Sequence, residues 1–138
     1  YICEELKYLV SAYDELIKLS LRHRPDLLIV GEIRDKLTAQ AVLRASLTGY
    51  TVFSTVHAAS VRGVIQRLSE LGLSHWEIKN ALSSVVYQRL IAGKGVLDIA
   101  KNEFESWSSE NWNKKIDQLL TNGYLTSTEA KREKIKTD

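Results

Sequence analysis

Two side chains in this sequence have the type and the neighbours needed to handle a proton: Glu32 and His57. Glu32 follows Gly31 and the run Leu27-Leu-Ile-Val30, and four apolar residues without a polar break read as a strand buried on both faces. An acid just past such a strand faces the crevice in which open α/β sheets bind ligands. A carboxylate fixed there can orient an attacking water and accept its proton, and nearby carboxylates can hold magnesium through bound water. His57 stands beside Thr55 at the end of a second run, Tyr50 to Val56, rich in β-branched and aromatic residues. An imidazole in that place can donate a hydrogen bond to a terminal phosphate oxygen. Each residue also has a plainer reading: an exposed acid in a strand-to-helix turn for Glu32, and a satisfied core histidine for His57.

The elements that must position this pair follow from pattern. Ser11-Ala-Tyr-Asp14 has the form of a capping box, and Tyr13, Leu16, Ile17 and Leu21 fall on one helical face. A helix is predicted from about Ala12 to Arg24, ended by Pro25, because the residue before proline is pushed out of the helical region. Upstream, Leu6 to Val10 fits a short strand or more helix. After the strand at Leu27 to Val30, Thr38 is predicted to cap a helix over Ala39 to Leu47, with Ala41, Val42 and Ala45 as its apolar stripe and Gly49 as terminator. Strand, helix and strand close as a right-handed crossover with parallel strands, so both carboxyl ends emerge on one edge of the sheet. Topology alone therefore puts Glu32 and His57 on a shared edge.

Farther on, Ser60 is predicted to cap a helix over Val61 to Leu71 ended by Gly72, and the capping box Ser74-His-Trp-Glu77 to start a helix reaching about Leu90. Gly93 and Gly95 break that pattern before Val96 to Ala100, a candidate edge strand. Residues 101 to 113 are polar, with Trp107 and Trp112 embedded, and lead to a helix from about Glu110 to Leu120 closed by Gly123. Thr126-Ser-Thr-Glu129 opens a charged terminal helix that is expected to fray by Ile135.

The stretch Arg22 to Asp35, Arg-His-Arg-Pro-Asp-Leu-Leu-Ile-Val-Gly-Glu-Ile-Arg-Asp, resembles the Walker B region of the type II secretion and type IV pilus assembly ATPases. That family writes it Arg-x-x-Pro-Asp, an apolar strand, then Gly-Glu-Ile-Arg-Asp. Leu47 to His57 is similar to the family's histidine box, and the resemblance runs from about residue 13 through Gln88-Arg89-Leu90. The tail, with Trp107, Trp112 and Asn113-Lys-Lys-Ile116, looks more like the competence-pseudopilus ATPases of Gram-positive bacteria. The resemblance implies an α/β fold, the carboxyl-terminal part of a RecA-like P-loop ATPase domain over residues 1–100, with parallel strands and flanking helices, and a small helical tail over 101–138. It implies Glu32 as the catalytic carboxylate, His57 as the catalytic residue that senses the terminal phosphate, and Thr55, Arg34 and Asp35 at the nucleotide. Arg34 would contact phosphate or a neighbouring chain and Asp35 would fix its orientation, although a surface ion pair at a helix entrance explains both equally well. Arg22, Arg24 and Asp26 match the family's lead-in, and solvated charges flanking proline account for them more simply.

For the whole protein, the resemblance implies a cytoplasmic ATPase using ATP and Mg2+, working as a hexameric ring at the inner face of the cell membrane. It would push on an inner-membrane platform protein to assemble a pilus or pseudopilus for DNA uptake or secretion. Many members carry a four-cysteine zinc knuckle after the Gln-Arg-Leu segment; no cysteine follows Leu90, so no zinc is expected. Composition points the same way. The 138 residues carry 19 Lys and Arg against 17 Asp and Glu, scattered rather than gathered, so nucleic-acid binding is not implied and a recombinase of the same core fold fits less well. No apolar run approaches the ~18 residues that cross a bilayer, and the lone Cys3 suits a reducing compartment.

The loop Gly-x-x-x-x-Gly-Lys-[Ser/Thr], whose amides and lysine hold the β and γ phosphates, does not occur in these 138 residues. Ala92-Gly-Lys-Gly95 lacks the first glycine and has Val96 where the magnesium hydroxyl belongs, and reads as a turn. Tyr1 rather than Met at the start fits a piece of a longer chain, with the loop expected upstream. A rival from another class is a non-catalytic interaction module built on the helical face after Gly72 and the tryptophan-bearing tail. These residues alone are expected neither to bind ATP tightly nor to turn it over; steady hydrolysis that vanishes on Glu32→Gln in this chain would contradict that expectation.

Overall fold

The computed structural model describes residues 13–136, and the readings placed on Cys3, on Leu6 to Val10 and on the capping box that begins at Ser11 lie outside them. Ten elements follow one another: α1 (Tyr13–Arg22), β1 (Leu27–Val30), α2 (Lys36–Leu47), β2 (Thr51–Ser54), α3 (Val61–Glu70), α4 (His75–Ala81), β3 (Ser84–Ile91), β4 (Lys94–Lys101), α5 (Glu110–Thr121) and α6 (Ser127–Glu133). They gather into two compact units. One holds the chain through His57 together with Gln66–Ala81, and the other holds Ala58–Ile65 together with the chain from Leu82 onward.

In the first unit, β1 and β2 pair in parallel, Leu27 opposite Thr51 and Val30 opposite Ser54, with α2 as the crossover. Ile17 of α1, Val30 of β1, and Ala41 and Ala45 of α2 form the core, with Leu21, Leu28, Val42 and Val52 packed around them. Alanines on α2 let its backbone come close to the strands, and the fully buried Ala45 leaves no room for a larger side chain. The Tyr50 hydroxyl donates to the Leu21 carbonyl at 3.0 Å, tying the strand's approach to the end of α1.

Two local expectations need correcting. Strand β1 is buried on one face only among the described residues: Val30 is 4% exposed, whereas Ile29 is 72% exposed and Phe53 beside it on β2 is 60% exposed. Helices α1 and α2 cover a single face of a two-stranded sheet, and alternate residues on the other face remain bare. The cap of α2 is Asp35 rather than Thr38. Asp35 is extended (φ −133°, ψ 169°), and its carboxylate accepts from the Thr38 N–H at 2.8 Å and the Thr38 hydroxyl at 3.2 Å. The helix therefore begins at Lys36, and Thr38 lies buried inside its first turn.

The second unit corrects the longer expectation. The helix predicted from Ser74 to Leu90 stops at Ala81, and Ser84–Ile91 is a strand paired antiparallel with Lys94–Lys101, Val85 opposite Ala100 and Ile91 opposite Lys94. Val85 and Ile91 are buried on the face that Tyr87 also shares, while Val86 and Leu90 point out, which is period two rather than 3.6. The connection is the two-residue turn Ala92-Gly93, both at positive φ (48° and 72°), the pattern that joins right-twisted strands tightly. The hairpin packs on α5. Ile91, Val96, Trp112, Ile116, Leu125 and Ala130 make one core, and the Tyr87 and Trp112 rings meet at 4.8 Å between centroids.

The tail is also held more firmly than expected. Trp112 donates its indole N–H to the Glu133 carbonyl at 2.9 Å, and Asn113 makes a reciprocal pair of 2.9 Å bonds with the backbone of Ile135. Ile135 is thus tied to α5 past the end of α6.

The first unit's α4 and the second unit's α6 each begin with a capping box. Glu129 accepts from the Thr126 N–H at 2.8 Å and the Thr126 hydroxyl at 2.8 Å, and these two bonds hold its carboxyl below the usual glutamate range. Glu77 is lowered in the same way by the Ser74 hydroxyl and N–H. A carboxyl depressed in the folded state contributes stability that is present above its unfolded pKa and is lost as pH falls through the folded value. Carbon-13 NMR titration should therefore place Glu129 below an ordinary glutamate, with amide protection of α6 failing through that lower range and Glu129→Gln removing this acid dependence; titration of Glu129 at or above the ordinary value contradicts the cap. At the hairpin, Ala92 adopts a left-handed conformation that asparagine tolerates better. Ala92→Asn should raise unfolding stability by roughly 0.5–1 kcal/mol, read from the denaturant midpoint at constant slope, and a lower midpoint would contradict the turn.

Candidate functional site

The site is built where β1 and β2 end. Past Val30 the chain bends at Gly31, and one further bond ties it to the other strand: the Ile33 N–H donates to the Thr55 carbonyl at 2.8 Å. The Thr55 hydroxyl returns a bond of 2.6 Å to the Gly31 carbonyl. Residues 31 to 33 are thereby pinned to residue 55, and the buried Ile33 side chain serves as the plug. Ile33 is buried while Glu32 and Arg34 on either side of it reach solvent and meet there.

Three charged or ionisable groups then meet. His57 Nε2 lies 3.1 Å from Glu32 Oε1, and Arg34 approaches Glu32 Oε2 through both Nε and Nη2 at 2.6 Å. Glu32 is the sheltered member, its side chain 21% exposed, against 78% for Arg34 and 93% for His57. Ion pairs this open to water contribute at most about 1 kcal/mol, so the cluster is not there to hold the fold together. It presents one carboxylate, two nitrogen donors and open solvent above them.

Of the residues expected from sequence, the structure brings Glu32, His57 and Arg34 into contact, and the exposed Thr55 is bonded to Gly31 beside Glu32 in the chain. The Thr55 hydroxyl hydrogen is engaged by Gly31, leaving its lone pairs to accept. Asp35 is turned away from this group: both its oxygens serve Thr38 at the start of α2, so Arg34 is oriented by Glu32 and not by Asp35. Arg22, Arg24 and Asp26 are exposed, and Arg24 takes φ 48° directly before Pro25. What the sequence reading missed is the pinning by Ile33 and the grip of Arg34 on Glu32. The signal was present in Glu-Ile-Arg, a polar–apolar–polar triplet directly after Gly31, where the chain bends and the buried position moves from Val30 to Ile33.

Among the described residues no three His, Cys, Asp or Glu side chains gather to hold a metal. Magnesium in phosphoryl-transfer sites is held by one or two carboxylates, water and substrate phosphates, and the sheltered Glu32 carboxylate fits one such position. No helix among the described residues is long and apolar enough to cross a membrane.

Known proteins are similar to this chain in sequence and in structure. The competence protein ComGA of Streptococcus pneumoniae is 59% identical over 123 residues, a match covering 89% of this chain and 39% of that protein. ComGA of Bacillus subtilis is 40% identical over 79 residues, covering 57% of this chain and 22% of that protein. The chain thus spans well under half the length of these relatives. Among solved structures, the pilus retraction motor PilT with bound ADP superposes with a TM-score of 0.72 at 23% identity, covering 90% of this chain and 44% of PilT. The Legionella pneumophila ATPase DotB gives 0.55 at 27% identity, over 63% of this chain and 26% of DotB. The PilT likeness carries the fold, an α/β arrangement of the RecA-like kind. Sequence carries the family: residues 7–122 match the Type II/IV secretion system protein family, and the chain belongs to it.

Proposed function

We propose that this chain is the water-activating and phosphate-sensing part of an ATPase that powers assembly of a type IV pilus, a competence pseudopilus or a type II secretion system. The observation that carries the reading is the 3.1 Å approach of His57 to Glu32 at the end of two parallel strands. Glu32 takes the proton of the attacking water at Oε1, the oxygen that only the more distant imidazole approaches. The new bond forms from water oxygen to the terminal phosphorus, the bond to the β-phosphate oxygen breaks, and ADP leaves with that electron pair. When the terminal phosphate arrives, His57 Nε2–H leaves Glu32 Oε1 to donate to it, and so registers whether it is present. Glu32, through bound water, would also hold Mg2+, which supplies neutralisation of the phosphate charge when bound.

The names of the relatives support a role in competence and secretion, and the rest of the assignment is drawn from the same kinship. In the whole protein the phosphate-holding loop comes from outside these 138 residues. The complete polypeptide works in the cytoplasm as a homo-oligomer, a hexamer, against an inner-membrane platform protein. Thr55 acts as a hydrogen-bond acceptor, and Asp35 contributes indirectly by fixing the start of α2 after Arg34.

A second reading, a non-catalytic interaction module, draws on one feature of the hairpin: Val86, Leu90, Leu97 and Ile99 leave an apolar face open, with Leu90 77% exposed. One experiment separates the two. In a polypeptide extended upstream to include the phosphate loop, Glu32→Gln should lower ATP turnover by roughly 10²-fold or more with nucleotide still bound, and His57→Ala should also lower turnover without loss of folding. Turnover indifferent to Glu32→Gln would overturn the ATPase assignment for this site and favour the module.

A further inference from the structure

Arg34 grips Glu32 rather than standing free for a nucleotide. Its Nε and Nη2 both reach Glu32 Oε2 at 2.6 Å, short for charge-assisted bonds, while Asp35, the nearest alternative acid in sequence, is taken up by Thr38. The pairing is dictated by the backbone. With Ile33 plugged inward and its N–H tied to Thr55, its neighbours Glu32 and Arg34 are both left at the surface, and the long arginine reaches back to the acid. Glu32 has three rotatable side-chain bonds and open solvent above it. Something must choose its orientation. The planar guanidinium fixes Oε2, and the carboxylate's own geometry then turns Oε1 to His57.

We infer that Arg34 is a positioning residue for Glu32: it acts on the water-activating step through that carboxylate and does not set the affinity for nucleotide. The inference rests on the proposed reading of Glu32 as the group that takes the water's proton. It separates Arg34 from the phosphate contact and from the neighbouring-chain contact that the sequence left open, because the bonds the side chain makes, from Nε and Nη2, go to Glu32.

The test uses the polypeptide extended upstream to the phosphate loop. Arg34→Ala should lower kcat by roughly 10²-fold, the scale of a misplaced catalytic group, while KM for ATP and Kd for ADP stay within about twofold. Arg34→Lys should recover part of the loss, since an ammonium holds one oxygen without the planar edge. Adding Arg34→Ala to Glu32→Gln should cost nothing further, which a generally destabilising change would not reproduce. A raised KM at unchanged kcat overturns the inference in favour of a phosphate contact. A loss in Arg34→Ala that mixing with Glu32→Gln subunits repairs overturns it in favour of a contact between chains. Full additivity of the two substitutions overturns it as well. The inference is also readable without turnover, so its fate is separate from that of the ATPase reading: in the 138-residue chain the Glu32 carboxyl carbon-13 signal should move in Arg34→Ala, and an unmoved signal overturns the grip itself.

Discussion

One parallel register, Val30 opposite Ser54, decides where every reactive group stands. Because the two strands run the same way, their ends face the same side, and two further bonds between Gly31, Ile33 and Thr55 carry that alignment past the last regular pair. Glu32 and His57 belong to different strands separated by a helix, and they meet without any long loop. Shifting the register by one residue would exchange Ile33 for Glu32 at the buried position and scatter the group. The helix that connects the strands is part of the same device. Asp35 starts it immediately after Arg34, so the chain leaves the site at a fixed angle.

The charged cluster and the apolar cores do different jobs. Glu32, Arg34 and His57 lie at the surface with weak mutual attractions, and their arrangement is inherited from the buried Ile33, Val30 and Ala45 beneath. A site held by its backbone and not by its own charges leaves those charges free to change partners when a highly charged ligand arrives. The second unit is organised around Trp112, fully buried and bonded to the Glu133 carbonyl, with the hairpin on one side and the terminal segment tied by Asn113. Its buried Asp98 accepts from the Trp107 indole at 3.0 Å, so both tryptophans of the polar stretch find partners.

Much of this was legible because the strands and helices of the first unit carry unambiguous punctuation: Pro25 ends a helix, Gly49 and Gly72 take positive φ where termination was expected, and Leu27 to Val30 has no helical alternative of sufficient length. Leu82 to Ile91 carries no such mark. Leu82, Val85, Val86 and Leu90 fit helical spacing, while Val85, Tyr87 and Ile91 fit alternation equally well, and the capping box at Ser74 favoured the wrong one. Burial against Trp112, a contact beyond the local window, and pairing with Lys94–Lys101 across the tight Ala92-Gly93 turn resolve the tie. The cap of α2 was missed for a related reason. Asp35 and Thr38 are both capping types, and the choice belongs to the point where the path through Ile33 ends, a property of its partner Thr55.

The claim on which the account stands is that the Glu32 carboxylate and the His57 ring are neighbours in the folded chain. The sequence holds only three histidines, His23, His57 and His75, so nitrogen-15 NMR of ring-labelled protein can follow each one separately. The account predicts that Glu32→Gln moves the His57 Nε2 resonance and leaves the ring signals of His23 and His75 in place. A His57 ring that does not respond to the loss of the Glu32 charge would contradict it.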